Sequence, residues 1–400
     1  MQDLISVARA RQRVLAATHH TAAAEPVALA AALDRVLARA LASEVDVPPF
    51  DSSAMDGFAV PAHAGETVLR ITGEARAGAP AGLAVEPGTA VRISTGAVIP
   101  PGTGAVVAVE RSAEAGPRSV SVEAVPAGAN IRRRGESVRR GEQVMAPGTV
   151  LGPAALGVLA GIGCAEVECA PRPRVALLAT GDELVEPGSA LAPGQIWSSN
   201  PPALAGQVLR AGGEVERIAT VGDDAAATRA ALGEALGAAD VVCVSGGVSV
   251  GRHDHVKGAF AELGVREDFW RVALQPGKPT WFGVAPDGRT LAFGLPGNPV
   301  SAMVTFQLFV RPALRALLGA DPTAARRTAV LDEAIARDQR RDQAVRCRLR
   351  RTPDGLHAAP TGPQGSHVLT SMLAADALAL ITAGPGAIAA GEPVELELLD

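Results

Sequence analysis

Residues 174–183 read RVALLATGDE, residues 240–247 read DVVCVSGG, and residues 291–301 read LAFGLPGNPVS. Each begins as a short run of buried-type residues and breaks into glycine, proline and small polar residues. A run of four to eight apolar residues closed by turn residues reads as a strand buried on both faces. The spacing predicts strands over Arg174–Thr180, Glu214–Val221, Asp240–Ser245 and Leu291–Gly294. Between them lie helical patterns. One covers Pro201–Ala211, with Asn200 as N-cap and Pro201 in its first turn. A second is capped by Asp223 or Asp224 and runs to Ala238. A third covers Pro299–Leu318, capped by Asn298 and kinked near Pro312. Strand–helix alternation of this kind predicts an open parallel α/β sheet with crossover helices.

Working outward, the character changes on both sides. Residues 2–18 and 28–41 read as amphipathic helices, the second placing Leu29, Leu33, Val36, Leu37 and Leu41 on one face. From Val45 to Arg134, short alternating runs separated by Gly and Pro predict a small inserted β module. Residues 149–163 read as a helix, with Pro153 in the first turn. Beyond Asp321 the chain returns to short β segments. The expected domains are residues 1–44 with 138–171 (helical), 45–137 (β module), 172–320 (α/β) and 321–400 (β).

Composition excludes several classes. The 400 residues include 44 Gly and 30 Pro, so turns are frequent. Aromatic residues are 3%, Tyr is absent and the net charge is −5, which argues against a general nucleic-acid binder. The four cysteines show no C-x-x-C spacing, so neither a structural zinc site nor a disulfide framework is expected. No apolar run approaches the ~18 residues of a membrane span, and no signal peptide is visible; cytoplasmic localisation is expected. Only two lysines, Lys257 and Lys278, and three asparagines, Asn130, Asn200 and Asn298, occur in an Arg- and Ala-rich chain.

Ligands of open α/β sheets bind beyond the carboxyl ends of the strands. There the sequence places Thr180-Gly181-Asp182-Glu183, then Ser245-Gly246-Gly247 with Gly251, His253 and Asp254 downstream. The other rim loops are Gln275-Pro276-Gly277-Lys278-Pro279 and Pro296-Gly297-Asn298-Pro299-Val300-Ser301. Glycine pairs and a helix start suit an anion. Asp182, Glu183, Asp223 and Asp254 beside them suit a bridging divalent cation. The reading is a phosphate or phosphoanhydride ligand with Mg²⁺. The bland alternatives are that Asp223 only caps a helix, Asp182 only shapes its turn, Asp56-Gly57 is only a turn, and His253 and His255 are solvated. A Walker A loop fails at Val272 and Pro279, and the glycine spacing does not fit G-x-G-x-x-G.

Six segments in order resemble the molybdopterin molybdenumtransferases, the MoeA family related to the gephyrin E domain. They are PPFDSSAMDGFAV (48–60), NIRRRGE (130–136), RVALLATGDEL (174–184), SGGVSVGRHD (245–254), PGKP (276–279) and GLPGNPVSA (294–302). The resemblance covers nearly the whole chain. All five scarce Lys and Asn residues lie in or beside these segments.

The resemblance implies a MogA-like α/β domain, an inserted β module and a C-terminal β-barrel domain. It implies a reaction in which adenylylated molybdopterin and molybdate react, with Mg²⁺, to give molybdenum cofactor and AMP. It also implies a homodimer with a shared active site, and contacts with the adenylyltransferase and with molybdoenzyme recipients. On the matching positions it makes Asp56, Glu183, Asp223 and Asp254 catalytic acids, with Glu183 and Asp254 as metal ligands. Substrate contacts fall on Thr95, Asp182, Ser245, Gly246, Gly247, Lys278, Pro279, Pro296, Asn298, Pro299, Ser301 and Ser371, with Arg348 a weaker match. Departures from the family pattern are Gly104 and Ser137 in place of Asp, Gln275 in place of Lys, Asp376 in place of Asn, and His253 in place of an aromatic. They keep two alternatives open: a non-catalytic molybdopterin-binding scaffold, and a molybdopterin adenylyltransferase.

Overall fold

The computed structural model describes residues 4–62, 66–248 and 254–399. The chain forms two compact units. One comprises Met1–Glu25, Asp34–Ala38 and Glu168–Asp400; the other comprises Pro26–Leu33 and Arg39–Val167.

In the first unit, six strands among the described residues form one sheet. Their order is Glu214–Val221, Arg174–Thr180, Val241–Ser245, Leu291–Leu295, Trp281–Val284 and Arg266–Trp270. The first four are parallel, as the alternation predicts. The last two extend the parallel core in antiparallel fashion. Successive side chains of a strand point to opposite faces, and the core divides accordingly. Val175, Leu177, Cys243 and Phe293 pack with the N-terminal helix and the helices Asn200–Arg210 and Pro299–Leu317. Ala176, Leu178, Val242 and Val244 pack with the helices Ala225–Ala238 and Val256–Glu262. The Cys243 thiol is fully buried, and desolvation pushes its pKa far up. All four cysteines are free thiols.

The N-terminal helix spans Val7–Ala17 and is capped by the Ser6 side chain, which accepts from the Arg9 N–H. It buries Val7, Ala10 and Val14, the helical spacing read from sequence. The kink expected near Pro312 appears as a π-helical stretch, Phe306–Val310, between Pro299–Thr305 and Arg311–Leu317. Proline cannot donate to the carbonyl four residues back. That carbonyl, of Leu308, accepts instead from Arg11 Nε at 3.1 Å. Arg11 also makes a bidentate pair with Glu397, which is 2% exposed.

Five strands close into a barrel at the C-terminus: Asp342–Thr352, Gly355–Pro360, Arg326–Leu331, Pro393–Leu398 and Ala377–Ile381, the last pairing back to the first. Its interior holds Val345, Cys347, Ala358, Ala379 and Leu396. Residues 270–274, which lead into the PGKP loop, divide between two sheets. Arg271 adopts a φ of 70° and turns the chain out of the sheet. Leu274–Gln275 then pairs with Asp342–Gln343 of the barrel domain.

In the second unit the β module is a sheet of order Ala105–Ala108, Gly57–Val60, Thr89–Ile93, Thr67–Ala75, Ser119–Val122 and Ser112–Gly116. A Cβ on Gly57 would lie 1.9 Å from the Val107 carbonyl oxygen, so only glycine lets these strands approach. The helix Pro153–Gly161 starts on its proline as expected.

The helix expected over residues 28–41 is absent. The segment holds a single 3-10 turn at Leu29–Ala31, Asp34 at φ 60°, and extended residues. There Leu37 bridges Cys169, and the Ala38 N–H donates to the Glu168 carbonyl. A left-handed residue ends a helix, and pairing to a neighbouring strand outweighed the helical spacing of the leucines. Among the described residues, no helix is long and apolar enough to cross a membrane.

Candidate active site

At the carboxyl ends of the parallel strands the first unit carries a cleft of about 720 Å³. Its wall brings together residues from five separated loops: Glu183, Asp223, Asp254, Ser245, Gly246, Gly247, Pro279, Pro296, Asn298 and Pro299. Gly246 and Gly247 have φ of 96° and 64°, in the left-handed region. A Cβ on Gly246 would lie 2.8 Å from the Thr180 carbonyl oxygen, and one on Gly247 2.6 Å from Val256 Cγ2. The pair therefore lets the backbone reach the cleft where no side chain fits. Glu183 folds back over Gly181, whose own Cβ would meet the Glu183 carboxylate at 2.3 Å.

Asp182 does not line the cleft. Its Oδ1 accepts from the Asp223 N–H at 2.9 Å, so it shapes the turn that presents Asp223. The following helix is capped by Asp224, which accepts from the Ala227 N–H. Asp223 is thereby released from capping and faces the cleft. Asp254 lines the cleft, whereas Gly251 and His253 lie outside the described residues.

Asn298 holds the N-cap position without a side-chain capping bond; its Nδ2 donates to Ser366 Oγ at 2.9 Å. The Val300 N–H, expected to face an anion, donates to the Ser366 carbonyl. Ser301 is buried behind the cleft wall, 4% exposed. Lys278 is exposed on the loop whose next residue, Pro279, reaches the cleft.

Ser371 is 2% exposed and does not line the cleft. It donates to the Val368 carbonyl and accepts from Arg346 Nε at 3.1 Å. Arg346 is fully buried, and desolvation lowers its pKa to about 10. Its Nη2 donates to the Gly365 carbonyl, and its own carbonyl accepts from Thr361, so it latches the 361–371 loop. From that loop His367 reaches the cleft. The nearby Arg348 is exposed.

The sequence reading missed the cleft wall formed by Ile196, Trp197, Ser198, Ser199 and Asn200. Asn200 was expected only as the N-cap of its helix, but Ser199 holds that position and Asn200 is the first helical residue. Its Nδ2 donates to Ser245 Oγ and to the Gly297 carbonyl, both at 2.7 Å, tying two rim loops together. The scarcity of asparagine was the signal that could have found it. Asn130 has a different reason to be Asn: its φ is 55°, a region Asn tolerates, and its Nδ2 donates to the Val106 carbonyl.

In the second unit, Asp56 and Thr95 come together. Asp56 Oδ1 accepts from the Thr95 N–H at 2.7 Å and from its hydroxyl at 3.1 Å. The segment Asp46–Asp51 is latched to NIRRRGE, since Asp51 accepts from the Arg134 N–H and from Arg133 Nη1. Those bonds hold the Asp51 carboxyl below the usual carboxylate range, the backbone bond from Arg134 contributing most.

The α/β domain with its carboxylate-lined cleft, the β-barrel domain and the β module are each matched by domains of proteins of molybdenum cofactor biosynthesis. Residues 5–163 match the MoeA N-terminal region (domain I and II), 176–316 the Probable molybdopterin binding domain, and 328–399 the MoeA C-terminal region (domain IV). The chain belongs to the MoeA family. It is 39% identical over 404 residues to molybdopterin molybdenumtransferase 2 of Mycobacterium tuberculosis, covering 96% of this chain and 97% of that protein. It is 34% identical to molybdopterin molybdenumtransferase of Haemophilus influenzae, covering 98% of both. The crystal structure of the molybdopterin biosynthesis MoeA protein from Pyrococcus horikoshii OT3 superposes with a TM-score of 0.85 at 29% identity, over 99% of this chain and 100% of that one.

Proposed function

We propose that this chain inserts molybdenum into molybdopterin, using adenylylated molybdopterin and molybdate and releasing AMP. The observation that carries the reading is the convergence of Gly246-Gly247 with Glu183, Asp223 and Asp254 on one cleft. The Gly246 N–H is spent on the Leu295 carbonyl, so it is the backbone at Gly247 that suits phosphate oxygens, and carboxylates beside it suit a cation or a proton transfer.

The donors fit Mg²⁺. Mg²⁺ uses one or two carboxylates and fills its remaining positions with water and substrate phosphate. Among the described residues no group of three or more His, Cys, Asp or Glu side chains is placed to hold a metal ion, so water and substrate would have to supply most of its ligands. Glu183 and Asp254 would hold it; when bound it would neutralise charge on the phosphoanhydride. Asp223, presented by Asp182, stands ready to accept a proton from the attacking oxygen. The homodimer with a shared site, and a role for Asp56 in it, belong to the same reading.

Two of the departures from the family pattern, Gln275 and Asp376, fall outside this cleft. Gln275 accepts from Arg341 Nη2 at 2.9 Å, and Asp376 accepts from the Leu349 N–H at 2.8 Å. Neither lines the cleft. Incubation with adenylylated molybdopterin, molybdate and Mg²⁺ should release AMP and yield molybdenum cofactor. Substrate binding without AMP release would favour the scaffold; ATP-dependent adenylylation of molybdopterin would favour the adenylyltransferase.

A further inference from the structure

We propose that Trp197 is a stacking platform for a planar, amino-substituted heterocycle of the substrate, and that Ser198, Thr180 and Asn200 read the edge of that ring. The inference rests on the function proposed above, whose substrate carries two such rings, a pterin and an adenine.

The aromatic residues of this chain are few, and the other tryptophans are occupied. Trp281 is 1% exposed and stacks on Phe260 with centroids 4.8 Å apart. Trp270 carries the Lys257 ammonium 3.0 Å and the Arg271 guanidinium 4.0 Å from its ring centroid. Trp197 is 51% exposed and lines the cleft beside the exposed Ile196. It is also held in place. Its Nε1–H donates to the Ser189 carbonyl at 2.9 Å, and its backbone pairs with Val185. A large ring fixed in an open position offers a stacking surface at little ordering cost.

Two hydroxyls on the same cleft wall are unmet. Ser198 is 3% exposed and lines the cleft, yet its Oγ has no hydrogen-bond partner. Thr180 Oγ1, on the same wall, is likewise sealed from solvent and unpaired. Unmet buried hydroxyls are uncommon because they are costly, so a ligand that bonds them is favoured. Asn200 spends both Nδ2 hydrogens on Ser245 and Gly297, leaving Oδ1 as an acceptor. Hydroxyls that both donate and accept, with one amide oxygen, match ring nitrogens and an exocyclic amino group.

The test titrates the full chain with AMP and, separately, with 6-hydroxymethylpterin, by calorimetry and by quenching of tryptophan fluorescence. Loss of a stacked ring weakens binding about fivefold or more, so Trp197→Ala should weaken one probe by at least that factor. Trp197→Phe should recover most of the affinity, and Ser198→Ala should weaken binding while preserving the quench. Loss confined to AMP assigns the adenine end, and loss confined to the pterin assigns the pterin end. Unchanged affinity of Trp197→Ala for both probes overturns the platform while leaving AMP release untouched. If neither free ring binds but the wild type releases AMP, an unchanged KM in Trp197→Ala overturns it equally. A changed oligomeric mass with unchanged affinity would assign Trp197 to an interface between copies and overturn the proposal. If the wild type binds neither probe and releases no AMP, the proposed function itself fails.

Discussion

Asn200 Nδ2 lies 2.7 Å from Ser245 Oγ, joining the start of one helix to the carboxyl end of a neighbouring parallel strand. The same amide holds the Gly297 carbonyl, so one side chain sets the spacing of two cleft loops. Asn200→Asp removes both donors and sets a carboxylate against the Gly297 oxygen. Thermal unfolding should show a loss of about 1 kcal/mol, the net worth of a hydrogen bond that stays partly open to solvent. KM for adenylylated molybdopterin should rise more than kcat falls. An unchanged KM would remove Asn200 from loop positioning.

Asp254→Asn keeps size and polarity but removes the charge. The variant should unfold at the wild-type temperature and lose turnover. Near-normal AMP release would remove Asp254 from the mechanism.

Gly104 stands where the family usually carries Asp, so restoring the acid is an obvious experiment. A Cβ there would lie 2.2 Å from the Ala62 N atom. Gly104→Asp should therefore destabilise the protein, by about 3 kcal/mol in chemical denaturation, with no gain in activity. A variant as stable as wild type would show that the strand ends can separate freely.

Arg11→Ala leaves the buried Glu397 carboxylate facing Arg326 Nη2, 3.5 Å away, and removes the side-chain donor of the Leu308 carbonyl. Breaking a buried pair from one side costs about 3–5 kcal/mol, and the thermal midpoint should fall by several degrees. Arg11→Ala combined with Glu397→Leu should recover part of the loss, since the stranded charge is then gone. No recovery would place the effect in helix packing instead.

His357 Nδ1 faces Asp332 at 2.8 Å and Nε2 faces Asp354 at 3.2 Å. The Asp332 bond contributes most to raising the His357 pKa above its usual 6.5, against partial desolvation. Because the folded value exceeds the unfolded one, this contribution to stability is fully present below about pH 6.5 and is lost as pH rises through the folded value. Asp332 and Asp354 are shifted the other way, so their contribution is present above the unfolded carboxylate value and is lost as pH falls through the folded ones. NMR titration should find His357 above 6.5 in the wild type and lower in Asp332→Asn. Equal values would remove Asp332 as the cause.

The middle of the parallel core was readable because its strands are buried on both faces and continuous in sequence, as Arg174–Thr180 and Val241–Ser245 are. Glu214–Val221 has its expected bounds but is an edge strand exposed over most of its length. Glycine positions near the cleft were readable because backbone geometry at Gly246 and Gly247 excludes a Cβ. Residues 28–41 were misread because leucine spacing reports a buried face without saying whether a helix or an extended strand presents it. Ser371 and Ser301 stand in recognisable segments, but adjacency in sequence does not say which side chain of a loop turns inward.

The strands and their alternation with helices, the loops that carry carboxylates and the family follow from local sequence, because each depends on residues near one another in the chain. What faces the cleft does not. Asp223 faces it because Asp224 takes over the helix cap and Asp182 fixes the turn. Asn200, Trp197 and His367 reach it because loops far apart in sequence pack together. Such placement is a sum of long-range contacts, and no short window of residues encodes it.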